Sequence, residues 1–171
     1  MNFVKVTSSD HVQGDINAPI ELVEYGDYQC SYCGQAYYVV KGLQKKLGKD
    51  LKFIFRNYPI EEIHPNAFHA AIAAETAALH GKFWEMHDIL YENQHRLDDS
   101  AIVNYVQKIG LDSKLFEKEF GSHSIIEKIE YDMKTGNQSG VRGTPTFFIN
   151  GKMFEGNWMD PQFSTYLKSL L

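Results

Sequence analysis

The sequence is poor in cysteine and proline and contains no long hydrophobic run. Two cysteines among 171 residues cannot build a disulfide scaffold, and 43% hydrophobic residues suffice for one core without such cross-links. No apolar stretch approaches the roughly 20 residues that a membrane-spanning helix needs. The 17 basic residues are outnumbered by 22 acidic ones, which gives a net charge of −5, and they form no basic stripe. We therefore expect one soluble domain that binds neither nucleic acid nor a membrane.

The beginning of the chain bears on its cellular location. Residues 1–14 are polar and lack the apolar core of a signal peptide. The cytosol keeps most thiols reduced, so a cysteine pair there is more often catalytic, redox-sensing or metal-binding than structural. We expect a cytoplasmic protein, with a periplasmic or other extracytoplasmic protein that has lost its signal peptide as the alternative. No segment resembles an oligomerisation arm, and we expect a monomer.

The two cysteines lie three residues apart, in Cys30-Ser31-Tyr32-Cys33, where a strand-like run meets a helix-like run. The positive end of a helix stabilises a thiolate, so we expect Cys30 to be the exposed nucleophile. Cys33, about one turn further in, would then attack the mixed disulfide on Cys30. A metal half-site and an inert stabilising disulfide are the alternatives. However, a zinc site needs about four ligands, and a bridge over so short a loop constrains the unfolded chain little. The pair therefore favours dithiol–disulfide exchange.

The first part of the chain alternates between strand and helix patterns. Hydrophobic periodicity predicts strands over residues 20–25 and 51–55, and between them a helix that starts after the cysteines and ends near Gly48. A strand, a helix and a strand in this order form a crossover, so the two strands should be parallel.

The rest of the chain is helical first and strand-like later. Residues 61–136 show only helical patterns, among them a capping box that starts at Ser124. Strands are predicted over residues 146–149 and 152–155, and the Asn150-Gly151 pair between them is the strongest short signal for an antiparallel hairpin. A final helix is expected after Pro161.

Four features follow one another along the chain. They are the segment Glu24-Tyr25-x-Asp27-Tyr28-x-Cys30-x-x-Cys33-Gly34, the helical stretch 61–136, His64-Pro65 with Gly81-Lys82-Phe83-Trp84 inside that stretch, and Val141-x-Gly143-Thr144-Pro145-Thr146. In this combination the sequence resembles the DsbA-like branch of the thioredoxin superfamily, over roughly residues 18–171. Its Ser31-Tyr32 dipeptide departs from the proline-histidine pair of the strongly oxidising members.

The resemblance implies an α/β protein with a thioredoxin fold, in which a helical insertion separates the βαβ half from the C-terminal ββα half. We expect a single DsbA-like domain over residues 1–171, with the thioredoxin core at about 18–60 and 137–171 and the insertion at about 61–136. The resemblance also implies an enzyme, a protein-disulfide oxidoreductase. Its partners would be protein thiols or disulfides and a redox partner, and it would need no cofactor.

The resemblance assigns substrate-binding roles near the cysteines. It implies a cis Thr144–Pro145 peptide bond beside them, which would leave the Thr144 backbone free to bind an extended polypeptide. An ordinary turn proline with a trans bond is the alternative. The Ser31-Tyr32 dipeptide would help to set how far the thiolate is favoured and, since neither residue is positive, indicates a milder oxidant or a reductant. Alternatively, Tyr32 simply begins the apolar face of its helix.

Glu24 is the third candidate catalytic residue. It shares a strand face with Ile20 and Leu22, so its carboxylate should point inward beneath the helix that carries the cysteines. A buried acid has a raised pKa and could exchange protons with Cys33. A solvated acid at a strand end is the alternative.

Two other classes of function compete with the enzyme. One is a binding or chaperone-like module that holds unfolded segments beside Pro145, with the cysteines sensing redox state. The other is a glutathione-dependent transferase on the same scaffold, against which the intact cysteine pair argues. The spacing of the seven histidines does not match metal ligands, so we expect surface or capping roles for them and no metal site.

Overall fold

The structure, a computed structural model, describes residues 4–171, so the first three residues of the polar start lie outside it. Within the described residues, strands and helices mix along the chain. They are β1 (His11–Gly14), β2 (Ile20–Gly26), α1 (Ser31–Leu47), β3 (Leu51–Asn57), α2 (Ala67–Ala78), α3 (Phe83–Glu92), α4 (Asp99–Lys108), α5 (Ser113–Glu119), α6 (His123–Gln138), β4 (Thr146–Ile149), β5 (Lys152–Met153) and α7 (Gln162–Lys168). The predicted α/β class is confirmed.

The strands form one sheet in the order β1-β3-β2-β4-β5. Strand β2 is parallel to β3 and antiparallel to β4, which confirms both the crossover and the antiparallel hairpin. Asn150 and Gly151 have φ angles of 48° and 84°, the positive values that a tight hairpin turn requires. The Asn150 side chain also accepts a hydrogen bond from the Glu21 amide at 2.8 Å. The hairpin is thus tied to the start of the central strand.

The edge strand β1 was not predicted. It pairs antiparallel with β3, from His11 opposite Phe55 to Gly14 opposite Lys52. Its four residues are half-buried or exposed, so the sequence lacks the apolar alternation of a strand that covers a core. Gly14 has a φ of 102°, and a Cβ there would lie 2.4 Å from the Leu51 carbonyl oxygen. Glycine therefore lets the chain leave the edge of the sheet.

Helices α2 to α6 all lie between β3 and β4 in the chain, and buried polar contacts tie them to the sheet. Asn57, at the end of β3, donates its side-chain amide to Glu75 of α2 at 2.7 Å and its backbone N–H to Asp132 of α6 at 3.0 Å. One hydrophobic core cluster joins both parts, because it contains Phe53 of β3 and Leu90 of α3. The predicted capping box at Ser124 is wrong, because α6 already begins at His123.

Over residues 4–171, no helix has both the length and the apolar character that crossing a bilayer requires.

Candidate functional site

The two cysteines lie at the start of α1, shortly after the chain leaves β2. Cys30 is the N-cap residue of α1, and its carbonyl accepts the N–H of Gly34 at 3.0 Å, which closes the first helical turn. Cys33 lies within that turn, and both thiols are free. Cys33 is fully buried, but the expected exposure of Cys30 is wrong, because only 6% of that residue is accessible.

The two thiols differ in how readily they ionise. The pKa of Cys30 is lowered from 9.0 to about 5, chiefly because Cys33 donates a hydrogen bond to its sulfur. Burial opposes this lowering of the Cys30 pKa, while the backbone amides of Cys33 and Tyr32 reinforce it. The pKa of Cys33 is raised well above its usual value, first by burial and then by its hydrogen bond to Cys30 and the nearby Glu24. At neutral pH the negative charge therefore lies on Cys30 and the proton on Cys33.

The segment before β4 forms the opposite side of the site. The Thr144–Pro145 peptide bond is cis. The Thr144 carbonyl oxygen lies 3.5 Å from the Cys30 sulfur and accepts the thiol proton when Cys30 is protonated. The structure thus brings Thr144 next to Cys30 although the two residues are 114 positions apart in the chain.

Glu24 on β2 is 2% exposed, so its predicted inward orientation is confirmed and the solvated alternative is wrong. Burial raises the pKa of Glu24 from 4.5 to about 8, and the negative charge of Cys30 adds to the effect. Its Oε1 atom has no hydrogen-bond partner among the described residues. A carboxyl group in this condition holds a proton near neutral pH and can release it when the charge nearby changes.

Asp27 is a residue of the site to which sequence reasoning gave no role. One of its carboxylate oxygens accepts the backbone N–H groups of Gln29 at 2.8 Å and Cys30 at 3.2 Å. The other accepts the backbone N–H of Ile60 at 2.9 Å and Nδ1 of His64 at 2.8 Å. Asp27 therefore joins the loop that carries Cys30 to the loop that follows β3. Its position directly after the strand, three residues before Cys30, was the available signal.

Ser31 and Tyr32, the dipeptide between the cysteines, are both exposed. Tyr32 is 55% exposed, so the interpretation that it begins the apolar face of α1 is wrong. That face is formed instead by Cys33, Gly34, Ala36, Tyr37, Val40, Leu43 and Leu47. The dipeptide therefore faces solvent next to Cys30.

The histidines are dispersed among separate contacts. His69 and His80 pair with Asp99 and Glu119, each at 2.6 Å. His87 departs from the expected surface or capping role, because it is 3% exposed, and its Nδ1 atom lies 3.0 Å from the Tyr28 hydroxyl. Among the residues that the structure describes, no three side chains of the metal-binding types converge on one point.

Solved structures share this architecture. A thioredoxin-like oxidoreductase from Silicibacter pomeroyi superposes with a TM-score of 0.82 at 22% identity, covering 96% of this chain and 95% of that one. The thiol-disulfide exchange protein alpha-DsbA2 from Wolbachia pipientis gives 0.83 at 22% identity, covering 96% and 88%. BdbD from Bacillus subtilis gives 0.82 at 21% identity, covering 95% and 92%.

Sequence comparison adds closer relatives. The Na(+)/H(+) antiporter NhaA 1 of Mycobacterium sp. (strain KMS) is 39% identical over 151 residues, which are 87% of this chain but 25% of that protein. The chain thus spans about a quarter of the length of the curated relatives it matches. A family model described as Thioredoxin matches residues 6–169. The chain therefore belongs to the thioredoxin family and has the fold of its DsbA-like members.

Proposed function

We propose that this protein is a dithiol–disulfide oxidoreductase that exchanges disulfides with protein substrates through a mixed disulfide at Cys30. The observation that carries the proposal is the asymmetry of the pair. Cys30 ionises readily at the start of α1, whereas the buried Cys33 beside it keeps its proton. A thiolate is the attacking species in disulfide exchange, so the asymmetry assigns the two steps to two different sulfurs.

The reduction of a substrate disulfide illustrates the chemistry. The Cys30 thiolate attacks one substrate sulfur, forms an S–S bond to it and releases the other sulfur as a thiolate. Cys33 then loses its proton and attacks Cys30, which releases the second substrate thiol and leaves a Cys30–Cys33 disulfide. The substrate gains two electrons and the cysteine pair loses them. Oxidation of a substrate dithiol follows the same steps in reverse.

Glu24 is proposed to exchange the proton of Cys33. With a pKa of about 8 it can be ionised or protonated near neutral pH, whereas an exposed glutamate would be fully ionised. The negative charge of Cys30 raises the pKa of Glu24, and the charges of both residues raise the pKa of Cys33. When Cys30 loses its charge in the mixed disulfide, Glu24 therefore ionises more readily. Its role is tested by the pH dependence of exchange in Glu24→Gln.

The substrate is proposed to lie as an extended segment beside Thr144 and Pro145. Pro145 lacks an N–H group, so it leaves no donor there to compete with a substrate strand. The Thr144 backbone faces Cys30, and a substrate that pairs with it would bring its own disulfide to the sulfur. The exposed Ser31 and Tyr32 would flank that segment on the side of α1.

The direction of electron transfer follows from how strongly the thiolate is favoured. A thiol that ionises easily stabilises the dithiol state, so the lowered pKa of Cys30 supports a role as disulfide donor. The uncharged Ser31-Tyr32 dipeptide indicates a milder oxidant or a reductant, and the lowered pKa of Cys30 favours the oxidant. A disulfide donor works in an oxidising compartment, which favours the extracytoplasmic alternative over the cytoplasm. We also propose that the protein acts as a monomer, which sedimentation of the oxidised and reduced forms would test.

Catalysed exchange on a model protein tests the proposal. Substoichiometric protein should accelerate reduction of a protein disulfide by a small dithiol, and Cys30→Ser should abolish the acceleration. Gln35→Ala, a change at an exposed residue of α1 with no part in the site, is the matched control and should retain most of the activity. Suppression of aggregation that persists in Cys30→Ser without any exchange would favour the chaperone-like module instead.

A further inference from the structure

Gln94 contacts the loop that carries the nucleophile from the side of the helical insertion. It lies two residues after the end of α3. Its side-chain nitrogen donates one hydrogen bond to the Tyr28 carbonyl oxygen at 2.8 Å and another to the Cys30 carbonyl oxygen at 2.9 Å. Two carbonyl acceptors on one atom fix that atom as the amide nitrogen, because an oxygen there would have nothing to accept.

Gly34 makes room for this contact. A Cβ atom at Gly34 would lie 2.0 Å from the Gln94 side-chain oxygen and 2.7 Å from its amide carbon. Any residue other than glycine at this position would therefore push the Gln94 amide away from the two carbonyls. Gly34 follows Cys33 in the middle of a helix turn, where glycine weakens the helix, so its small size serves this close approach.

The two hydrogen bonds hold the backbone on both sides of the cap position. The Cys30 carbonyl also accepts the N–H of Gly34 at 3.0 Å, so its orientation is fixed from two directions. Rotating that peptide would move the Cys30 sulfur relative to the N–H groups of Tyr32 and Cys33. Those N–H groups stabilise the thiolate only when the sulfur lies close and in line with them.

We infer that Gln94 is a positioning residue for disulfide exchange, which holds the Cys30 backbone so that the sulfur stays against the first amides of α1. The inference rests on the proposed function. It gives the insertion a direct part in the chemistry, since Gln94 belongs to the helical stretch and touches neither sulfur. Gly34 supports the same contact from within α1.

The test measures how the alkylation rate of reduced Cys30 depends on pH. Gln94→Met keeps the side-chain volume but removes both N–H donors. We expect alkylation at acidic pH to slow about tenfold relative to the unaltered protein, the equivalent of one ordinary hydrogen bond, and alkylation at alkaline pH to be unchanged. The equilibrium constant for oxidation of glutathione should fall by about the same factor, which corresponds to about 30 mV.

Gly34→Ala should also break the hydrogen bonds of Gln94 to the two carbonyls, and it should shift the alkylation profile in the same direction. In the Gln94→Met background it should add little, because the contact is already lost. The matched control is Gln44→Met, on the same helix as Gly34. Gln44 donates its side-chain amide to Gln13 at 2.7 Å, far along α1 from the cysteines, and its loss should leave the profile unchanged.

The outcomes separate the possible failures. A folded Gln94→Met protein with the profile of the unaltered protein would overturn the inference while leaving the proposed function intact. A change in unfolding midpoint without any change in the profile would assign Gln94 a structural role only, and would equally overturn it. If the unaltered protein shows neither rapid alkylation at acidic pH nor exchange, the proposed function itself fails. If Gln94→Met does not fold, Gly34→Ala decides by the same criterion.

Discussion

The hydrogen bond from Cys33 to Cys30 is the interaction that most strongly lowers the pKa of Cys30. Replacing Cys33 by alanine removes the donor and leaves the helix-start amides in place. Cys30 in Cys33→Ala should therefore hold its proton more tightly than in the dithiol protein. In Cys33→Ser the hydroxyl can still donate, so most of the effect should be retained.

The magnitude follows from the two thiol environments. A pKa lowered from 9.0 to about 5 means that the native surroundings favour the thiolate by about 5 kcal/mol. A hydrogen bond to a charged group contributes about 1.5–3 kcal/mol of such a total. Loss of the Cys33 donor should thus decrease the acid dissociation constant of Cys30 about 10- to 100-fold.

Thiolate absorbance in the ultraviolet, followed against pH in each single-cysteine protein, measures this constant directly. Alkylation rates over the same pH range provide an independent check. If Cys33→Ala ionises at the same pH as the unaltered protein, the lowered pKa does not come from Cys33. The attribution to the neighbouring thiol would then be refuted, and the amides of α1 would have to supply the whole effect.

Three further predictions concern stability. Because burial raises the pKa of Glu24 from 4.5 to about 8, the native protein holds a proton at neutral pH that the unfolded chain releases, and stability should fall as the pH rises between those values. Glu24→Gln should therefore raise the free energy of unfolding by up to about 3 kcal/mol near pH 7 and hardly at all near pH 4, as chemical denaturation at the two pH values would reveal. Because the pKa of Cys30 is lowered from 9.0 to about 5, the dithiol form should become more stable relative to the disulfide form as the pH rises from about 5 to 9.0. This gain should be complete above pH 9.0 and absent below about pH 5. Thermal unfolding of both forms against pH checks this. Leu90 of α3 is fully buried in the hydrophobic core cluster that also contains Phe53 of β3, so Leu90→Ala should lower the free energy of unfolding by about 2–5 kcal/mol in chemical denaturation, and a loss below about 1 kcal/mol would contradict this burial.

The sequence was informative where local patterns and burial agree. The strands over residues 20–25 and 51–55 carry dense apolar residues, and the structure extends them only to Gly26 and Asn57. The edge strand β1 escaped prediction because a strand that covers little core shows no clear alternation. The start of α6 was misplaced for a different reason: Ser122 and Ser124 are both suitable N-cap residues, and Ser122 is the one that precedes the helix.

The reactive residues of the site could be predicted from the sequence, whereas the residues that hold Cys30 in place could not. The spacing of Cys30 and Cys33 indicates disulfide exchange, and the side of β2 on which Glu24 lies indicates that its carboxylate points inward. The contact of Gln94 with the Cys30 carbonyl joins residues 64 positions apart, and a glutamine after a helix carries no local signal of such a contact. The Cys30 sulfur likewise contacts Thr144, which is 114 positions away in the chain, and the sequence around Cys30 carries no signal of that contact.

Trapping the mixed disulfide tests the central claim most directly. Cys33→Ser and Cys30→Ser, each reduced, are mixed with an unfolded protein that contains one disulfide, and the covalent products are mapped by mass spectrometry. Cys33→Ser should rapidly form a stable adduct through Cys30, because the resolving thiol is missing, whereas Cys30→Ser should form almost none. Adduct formation through Cys33 in Cys30→Ser at a comparable rate would contradict the account.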